Sequence, residues 1–428
     1  MQTENERAWP VVVVGAGAAG LMAAAFAAEA GARVLLLERT RGGGKKIVVS
    51  GGGRCNVLPS EVDPGRYTTA SSPNTLRRML LSWPLEEQKA YFENVLGLPL
   101  AREAETGKLF PASNRATDVR DALVGRCAAL GVATWFDVLV ADVRPGEGGG
   151  PWRIRLGDGQ TVFARAVILA TGGLSVPNTG SDGAGLRFAR ALGHTLHPTY
   201  AALTPLTAEP AVHAALAGVS LTVRLETAVG KGRLAAEGGF LFTHRGYSGP
   251  SVLDVSHVAV RSRVASGEPP GGEPPGGKAP PTIHARWAPA LDEAAWDALL
   301  RAPTGGVGPL VRRHLPARLA DALLAEAAVL PERPLAQLRR DERARLVGCL
   351  ARYPLPWTGD EGYKKAEVMG GGVALSEVDA RTLESRRHPG LFLCGELLDA
   401  FGPIGGYNFL WAWSTGRAAG LGAAGGGA

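Results

Sequence analysis

Cysteine is scarce: four in 428 residues, Cys55, Cys127, Cys349 and Cys394. They are far apart, with no C-x-x-C pair and no His/Cys cluster, so a disulfide scaffold and a cysteine-based metal site are not expected. The pattern fits a reducing cytosol, and a cytoplasmic location is the expectation. Charge of one sign is also lacking. Lys+Arg 46 against Asp+Glu 40 leaves +6, the arginines are scattered, and no dense basic run with interleaved aromatics occurs. A nucleic-acid partner is therefore not expected. The 18 residues Val11 to Ala28 form an uncharged stretch, the length at which a membrane helix must be considered. Three glycines interrupt it, Val and Ala dominate it, and Glu4 and Glu6 precede it beside Arg7, which argues against a membrane span or a signal peptide.

That same stretch carries the main signal. Val11 to Gly20 reads VVVVGAGAAG, an apolar strand breaking into a Gly-x-Gly-x-x-Gly turn, followed by an Ala-rich helical segment. Gly15 permits the tight turn, Gly17 lets backbone approach a diphosphate, and Gly20 lets helix and strand pack closely. The helix N-terminus, with Ala18 and Ala19 in its first turn, offers unpaired N–H groups to an anion. A second apolar run, Arg33 to Leu37, ends on Glu38, 18 residues beyond Gly20, where a carboxylate can accept from an adenosine ribose.

Two further glycine-rich turns favour a flavin over a nicotinamide. Gly42 to Asn56 (GGGKKIVVSGGGRCN) follows the acid directly, and Arg54 or Lys46 can serve a cofactor's phosphates or ring. Near the C-terminus, the short strand Gly390 to Leu393 runs into Cys394-Gly395-Glu396. Gly405-Gly406 then opens an apolar helix, with Tyr407 and Asn408 in its first turn. Glu396 can bond a polyol chain, and the helix end favours negative charge on a reduced flavin. The apolar run Ala166 to Ala170 ends in Thr171-Gly172, which suggests a buried parallel strand whose end faces a ligand.

Between these turns the texture changes. Helices are expected at Asn74–Leu81, Leu85–Val95 and Ala116–Ala129, and strands at Trp135–Val143, Trp152–Leu156 and Thr161–Phe163. Further on, strands are expected at Leu221–Val229, Phe240–Thr243 and Thr282–Trp287, and helices at Leu291–Arg301, Leu310–Leu330 and Leu335–Tyr353. Pro316 should kink or split the second helix. Ser266 to Pro281 (SGEPPGGEPPGGKAPP) reads as a solvated linker. The expected organisation is α/β: residues 1–198 as a first nucleotide-binding part, 199–360 as an inserted substrate domain, and 361–428 completing the first.

Several blocks resemble the BaiN-like bacterial NAD(P)/FAD-dependent oxidoreductases, also known as the aminoacetone oxidase family. They are SGGGRCN (50–56), FPAS (110–113), ATGGLSVPNTGSDG (170–183), FTHRGYSGP (242–250), EVMGGGV (367–373) and GELLDAFGPIGGYNFLWAWSTG (395–416). The resemblance runs over almost the whole chain. It implies a two-dinucleotide-binding (Rossmann-like) FAD domain with an inserted β-barrel plus helical domain, and non-covalent FAD. It implies FAD contacts at Gly15, Gly17, Ala19, Glu38, Arg39, Ser50, Gly53, Gly395, Glu396, Gly406 and Asn408. Neighbours in the same turns, Gly51 among them, complete the expected set.

Hydride transfer to a flavin needs little acid–base help. Arg54 and Asn56 can act at the flavin or only brace their loop. His244 can donate a proton or bond its own turn. A thiol relay at Cys55 lacks a partner. Gly180 to Gly185 has the wrong spacing for a second fingerprint, so NAD(P)H, a possible electron donor, would dock without a glycine loop of its own. The leading expectation is an FAD-dependent oxidoreductase of a small organic substrate. A tRNA-modifying flavoprotein and a non-enzymatic redox sensor or electron carrier are the alternatives.

Overall fold

In the computed structural model the described residues are 8–230, 232–265 and 280–425. The chain divides into two units, residues 1–199 with 368–428, and residues 200–367. In the first unit β1 (Trp9–Val14) turns into α1 (Ala18–Glu29) and returns as β2 (Val34–Leu37). Then come α2 (Pro73–Leu80), α3 (Ala116–Ala129), β3 (Ala133–Trp135), β4 (Val140–Arg144), β5 (Trp152–Leu156), β6 (Thr161–Leu169) and α4 (Ala184–Ala191). Strand order is β3-β2-β1-β6-β5-β4. β1 pairs in parallel with β2 and β6 (Val11↔Val34, Val11↔Ala166), and all its inner residues are valines buried on both faces, as parallel strands covered by helices require.

Two expectations are corrected here. Thr161–Phe163 and Ala166–Ala170 are one strand, not two. Its first half pairs antiparallel with β5, and its second half is parallel to β1. Trp135–Val143 is not one strand: Asp137 takes a positive φ of 57°, and the backbone N–H groups of Asp137 and Val138 donate to Thr40 and Glu38. That turn leaves β3 and β4 at opposite edges of the sheet. The Leu85–Val95 helix becomes irregular from Tyr91, whose ring stacks on Phe26.

β7 (Leu196–Ala202) leads toward the second unit, where β8 (Leu206–Thr207), β9 (Ser220–Val229), β10 (Gly232–Phe242) and β11 (Gly246–Ser248) precede α5 (Pro250–Ala265). Ser266 to Ala279, most of the expected linker, lies outside the described residues. β12 (Ile283–Arg286), α6 (Glu293–Leu299), α7 (Val307–Arg312), α8 (Ala317–Glu326), α9 (Arg340–Ala351), β13 (Tyr353–Pro354) and β14 (Gly359–Asp360) follow. Pro316 caps α8, so the expected 310–330 helix is two helices, because proline cannot donate within a helix. The sheet runs β13-β12-β9-β10-β11-β8-β14, and its two edge strands are consecutive in the chain. Its core gathers Phe240, Phe242, Tyr247, Trp287 and Trp296, each at most 1% exposed.

The return to the first unit brings β15 (Val368–Val373), paired with β7, then β16 (Leu391–Leu393), parallel to β6, and α10 (Tyr407–Ala423). α10 lies directly on α1. A Cβ at Gly416 would sit 2.5 Å from Ala19 O, and one at Gly420 would sit 2.4 Å from Ala23 O. Gly420→Val should therefore cost about 1–3 kcal/mol by overpacking, read as a lower denaturation midpoint; an unchanged midpoint contradicts this contact. Burial pushes His257 in α5 down to about 4, so it is neutral in the folded protein. Its contribution is complete above the ordinary value of 6.5 and declines as pH falls from 6.5 toward 4. His257→Gln should flatten the fall of melting temperature across that window.

Candidate functional site

The first glycine turn forms because β1 must reverse into α1 within a few residues. Gly15 has φ +104°, and a Cβ there would press 2.6 Å from Ala170 O. At Gly20 a Cβ would stand 1.8 Å from Gly15 O, so helix and turn touch through bare backbone. Gly17 differs: a Cβ there would meet nothing within 4 Å. It is the N-cap of α1, makes no side-chain capping bond, and no acidic residue lies in the first turn. The turn thus has no side-chain acceptor of its own and free space beside Gly17, an arrangement suited to an anion.

Glu38, 8% exposed, is held beside this turn. Its Oε2 accepts from Ala16 N at 2.8 Å, and its Oε1 accepts from Thr40 N at 2.8 Å and Thr40 Oγ1 at 2.7 Å. A carboxylate has about four acceptor positions, so capacity remains for a sugar hydroxyl. Arg39 next to it forms an ion pair with Asp182 at 2.6 Å.

The other two glycine turns abut the same helix end. Gly44 N donates to Ala16 O at 2.7 Å, and a Cβ at Gly395 would lie 2.8 Å from Ala19 Cβ. A charged knot joins them. Lys46 Nζ donates to Glu396 Oε2 at 2.6 Å and to Ser175 Oγ at 2.5 Å; Glu396 Oε1 accepts from Met369 N at 2.8 Å and from the Ser175 hydroxyl. Ser175 and Met369 were not singled out by the sequence. Thr171 and Gly172 sit at the end of β6, where a Cβ on Gly172 would come within 3.9 Å of Glu396 Oε2.

Around the start of α10 the side chains mainly shape the loop. Asn408 Oδ1 accepts from Gly402 N, and its Nδ2 donates to Gly402 O, both at 2.9 Å. Arg66 donates to the Tyr407 hydroxyl, and Tyr67 donates to Tyr407 O. Gly406, φ +90°, packs against the Leu58–Pro59 backbone, which a Cβ would meet at 2.5 Å. Ser50 donates to Ile47 O, while Gly51 and Gly53 take positive φ and Gly53 borders open space.

The proposed catalytic residues are braced or separate. Arg54 pairs with Glu103 at 3.0 Å and lies over Phe110 at 4.2 Å. Buried Asn56, with its amide turned so that both ends are satisfied, accepts from Gly406 N and donates to Leu58 O, each at 3.2 Å. His244 is exposed in the second unit and does not bond its own turn, which is closed by Thr243 N donating to Gly246 O. Burial pushes the Cys55 thiol up to about 12, which removes it from thiolate chemistry. Lys108 was missed: its Cε would lie 3.4 Å from a Cβ on Gly405, its ammonium has no ion-pair partner among the described residues, and it belongs to the same unit as the glycine turns. Only its place just before the FPAS block hinted at it.

Open Gly17, an uncapped helix end and a fixed carboxylate beside it suit a dinucleotide, and the residues present fit FAD. Together they define an FAD-dependent oxidoreductase on a Rossmann-like scaffold. A family model described as the HI0933-like protein Rossmann domain matches residues 9–422, and the chain belongs to that family. It is 33% identical over 408 residues to the ribosomal RNA dihydrouridine synthase of Escherichia coli (strain K12), covering 94% of this chain and 95% of that one. It is 31% identical over 420 residues to the 3-dehydro-bile acid delta(4,6)-reductase of Clostridium scindens, covering 96% and 98%. Among solved structures, the open conformation of a flavocytochrome c3 fumarate reductase aligns with TM-score 0.50 and 17% identity, over 98% of this chain and 79% of that one, a likeness of fold. No helix among the described residues is long and apolar enough to cross a membrane, and no metal-binding cluster occurs among them.

Lys46→Met leaves Glu396 without its cation. FAD affinity should fall about 10-fold, ~1.4 kcal/mol, measured by fluorescence titration of the apoprotein; unchanged affinity would remove the knot from the cofactor site.

Proposed function

We propose that this protein is a reductase of a carbon–carbon double bond conjugated to a carbonyl. Two relatives support the reading: their names, a dihydrouridine synthase and a delta(4,6)-reductase, denote saturation of such a bond in very different molecules. The flavin that this reaction needs is supported by the packing of three glycine turns on the uncapped end of α1.

In this reading the first turn of α1, from Gly17 to Gly20, binds the diphosphate, Glu38 the adenosine ribose, and Arg39 the same end. Lys46, Ser50, Gly51, Gly53, Thr171, Gly172, Gly395 and Glu396 line the middle of the cofactor. Gly405, Gly406, Tyr407 and Asn408 meet the ring edge through the start of α10. FAD held by these residues and reduced by its electron donor would supply the hydride that saturates the conjugated bond, the second hydrogen arriving as a proton from a protein group or solvent. Arg54 and Asn56 position the loop, and Lys108 holds positive charge beside Gly405, reinforcing the helix end. The second unit is the candidate substrate domain, and it carries His244. NADH or NADPH is the candidate source of electrons.

The test is anaerobic stopped-flow spectroscopy. Dithionite-reduced holoenzyme should be reoxidised by 2-cyclohexenone and not by cyclohexanone, and reduced flavin that persists with the enone contradicts the reading. Lys108→Met should slow that reoxidation about 10-fold (~1.4 kcal/mol) with FAD content unchanged; an equal rate would leave Lys108 outside the reaction.

A further inference from the structure

The first unit also holds a cavity of about 720 Å³ lined by Arg78, Ser82, Asp379, Arg381, Arg386 and Arg417. These residues come from the end of α2, the turn after it, the 379–386 loop and the later part of α10. Arg417 stands ten residues along α10 from Tyr407, so at 1.5 Å per residue it is roughly 15 Å from the glycine turn. The cavity is a different place from the cofactor site.

Its charge is unbalanced. Four arginines face one aspartate, and the Asp379 carboxylate already accepts from the backbone N–H of Arg381 at 2.8 Å and faces Arg386 at 3.4 Å. Arg78, Arg381 and Arg417 form no ion pair among the described residues. Arg417 is the most constrained: its guanidinium lies over Phe26 and Trp83, and its buried Nε has no hydrogen-bond partner. Burial lowers its pKa, with only Glu87 opposing the shift. A half-buried cation with no ion pair is costly, and an anion in the cavity would compensate it. The carbonyls ending α2 account for Arg78, but not for the two loop arginines.

We propose that this cavity docks the phosphodiester backbone of RNA, with Arg417 at its floor and Arg78, Arg381 and Arg386 at its exposed rim. Guanidinium forks match phosphate oxygens two at a time, and groups spread over several segments suit successive phosphates better than one enclosed ion. Relatives at 33% and 30% identity bear names that place their reaction on ribosomal RNA. The proposal extends the reductase reading, on which it rests only for what happens at the flavin.

The experiment uses FAD-loaded full-length protein and a fluorescein-labelled 20-nucleotide oligouridylate, titrated by anisotropy across a salt series. Arg381→Ala/Arg386→Ala should weaken binding at least ~10-fold at low salt and flatten the log–log salt slope by about 1.4, two contacts at about 0.7 each. Arg313→Ala/Arg340→Ala, which removes equal charge from exposed positions of the second unit, should leave binding unchanged. Cyclohexenone-driven reoxidation should be the same in all three proteins. Absence of wild-type binding, or equal losses in the two double variants, overturns the docking site and leaves the reductase reading standing. Failure of enone reoxidation with the expected binding pattern overturns the reductase reading alone.

Discussion

The structure depends on the first turn of α1 being left without a cap. Ser, Thr, Asp and Asn are the side chains that best satisfy a helix's leading N–H groups. Here Gly17 cannot, no acid follows it, and the space beyond its Cα is empty. Its neighbours are tightly packed: Gly15 on the Ala170 carbonyl, Gly20 on the Gly15 carbonyl, and Gly395 on the Ala19 methyl. A closely packed frame with an open, positively polarised helix end is what a tightly held diphosphate needs.

The knot of Lys46, Ser175 and Glu396 explains how segments distant in sequence keep that frame. Lys46 belongs to the second glycine turn, Ser175 follows β6, and Glu396 follows β16. Paired charges that are partly buried hold these loops in register, since separating them would leave a carboxylate without its cation. On the far side of Gly395, α10 adds its own N-terminus and lies against α1 through Gly416 and Gly420. The two helices can therefore approach closely only while those positions lack a side chain.

Much of this was legible in the sequence because it is local. The β1 valines, the spacing of Gly15, Gly17 and Gly20, Glu38 after the second strand and the Pro316 break each follow from a few neighbouring residues. What escaped is non-local. Nothing in the sequence shows that Asp137 turns left-handed and divides one apparent strand between the two edges of a sheet. Arg54 and Asn56 were equally readable as chemical or structural groups until Glu103, Phe110 and Gly406 were seen beside them. Lys108 gains meaning only from Gly405. The scattered arginines gave no footprint along the chain, because Arg78, Arg381, Arg386 and Arg417 meet only after folding.

The most direct measurement is calorimetric titration of FAD into apoprotein carrying Gly17→Asp. The position has room for the side chain, so folding and melting temperature should be retained, while the new carboxylate occupies the space assigned to the diphosphate. Affinity should fall at least ~100-fold, about 2.7 kcal/mol. A folded variant that binds FAD as tightly as the wild type would show that the open end of α1 is not where the cofactor is held.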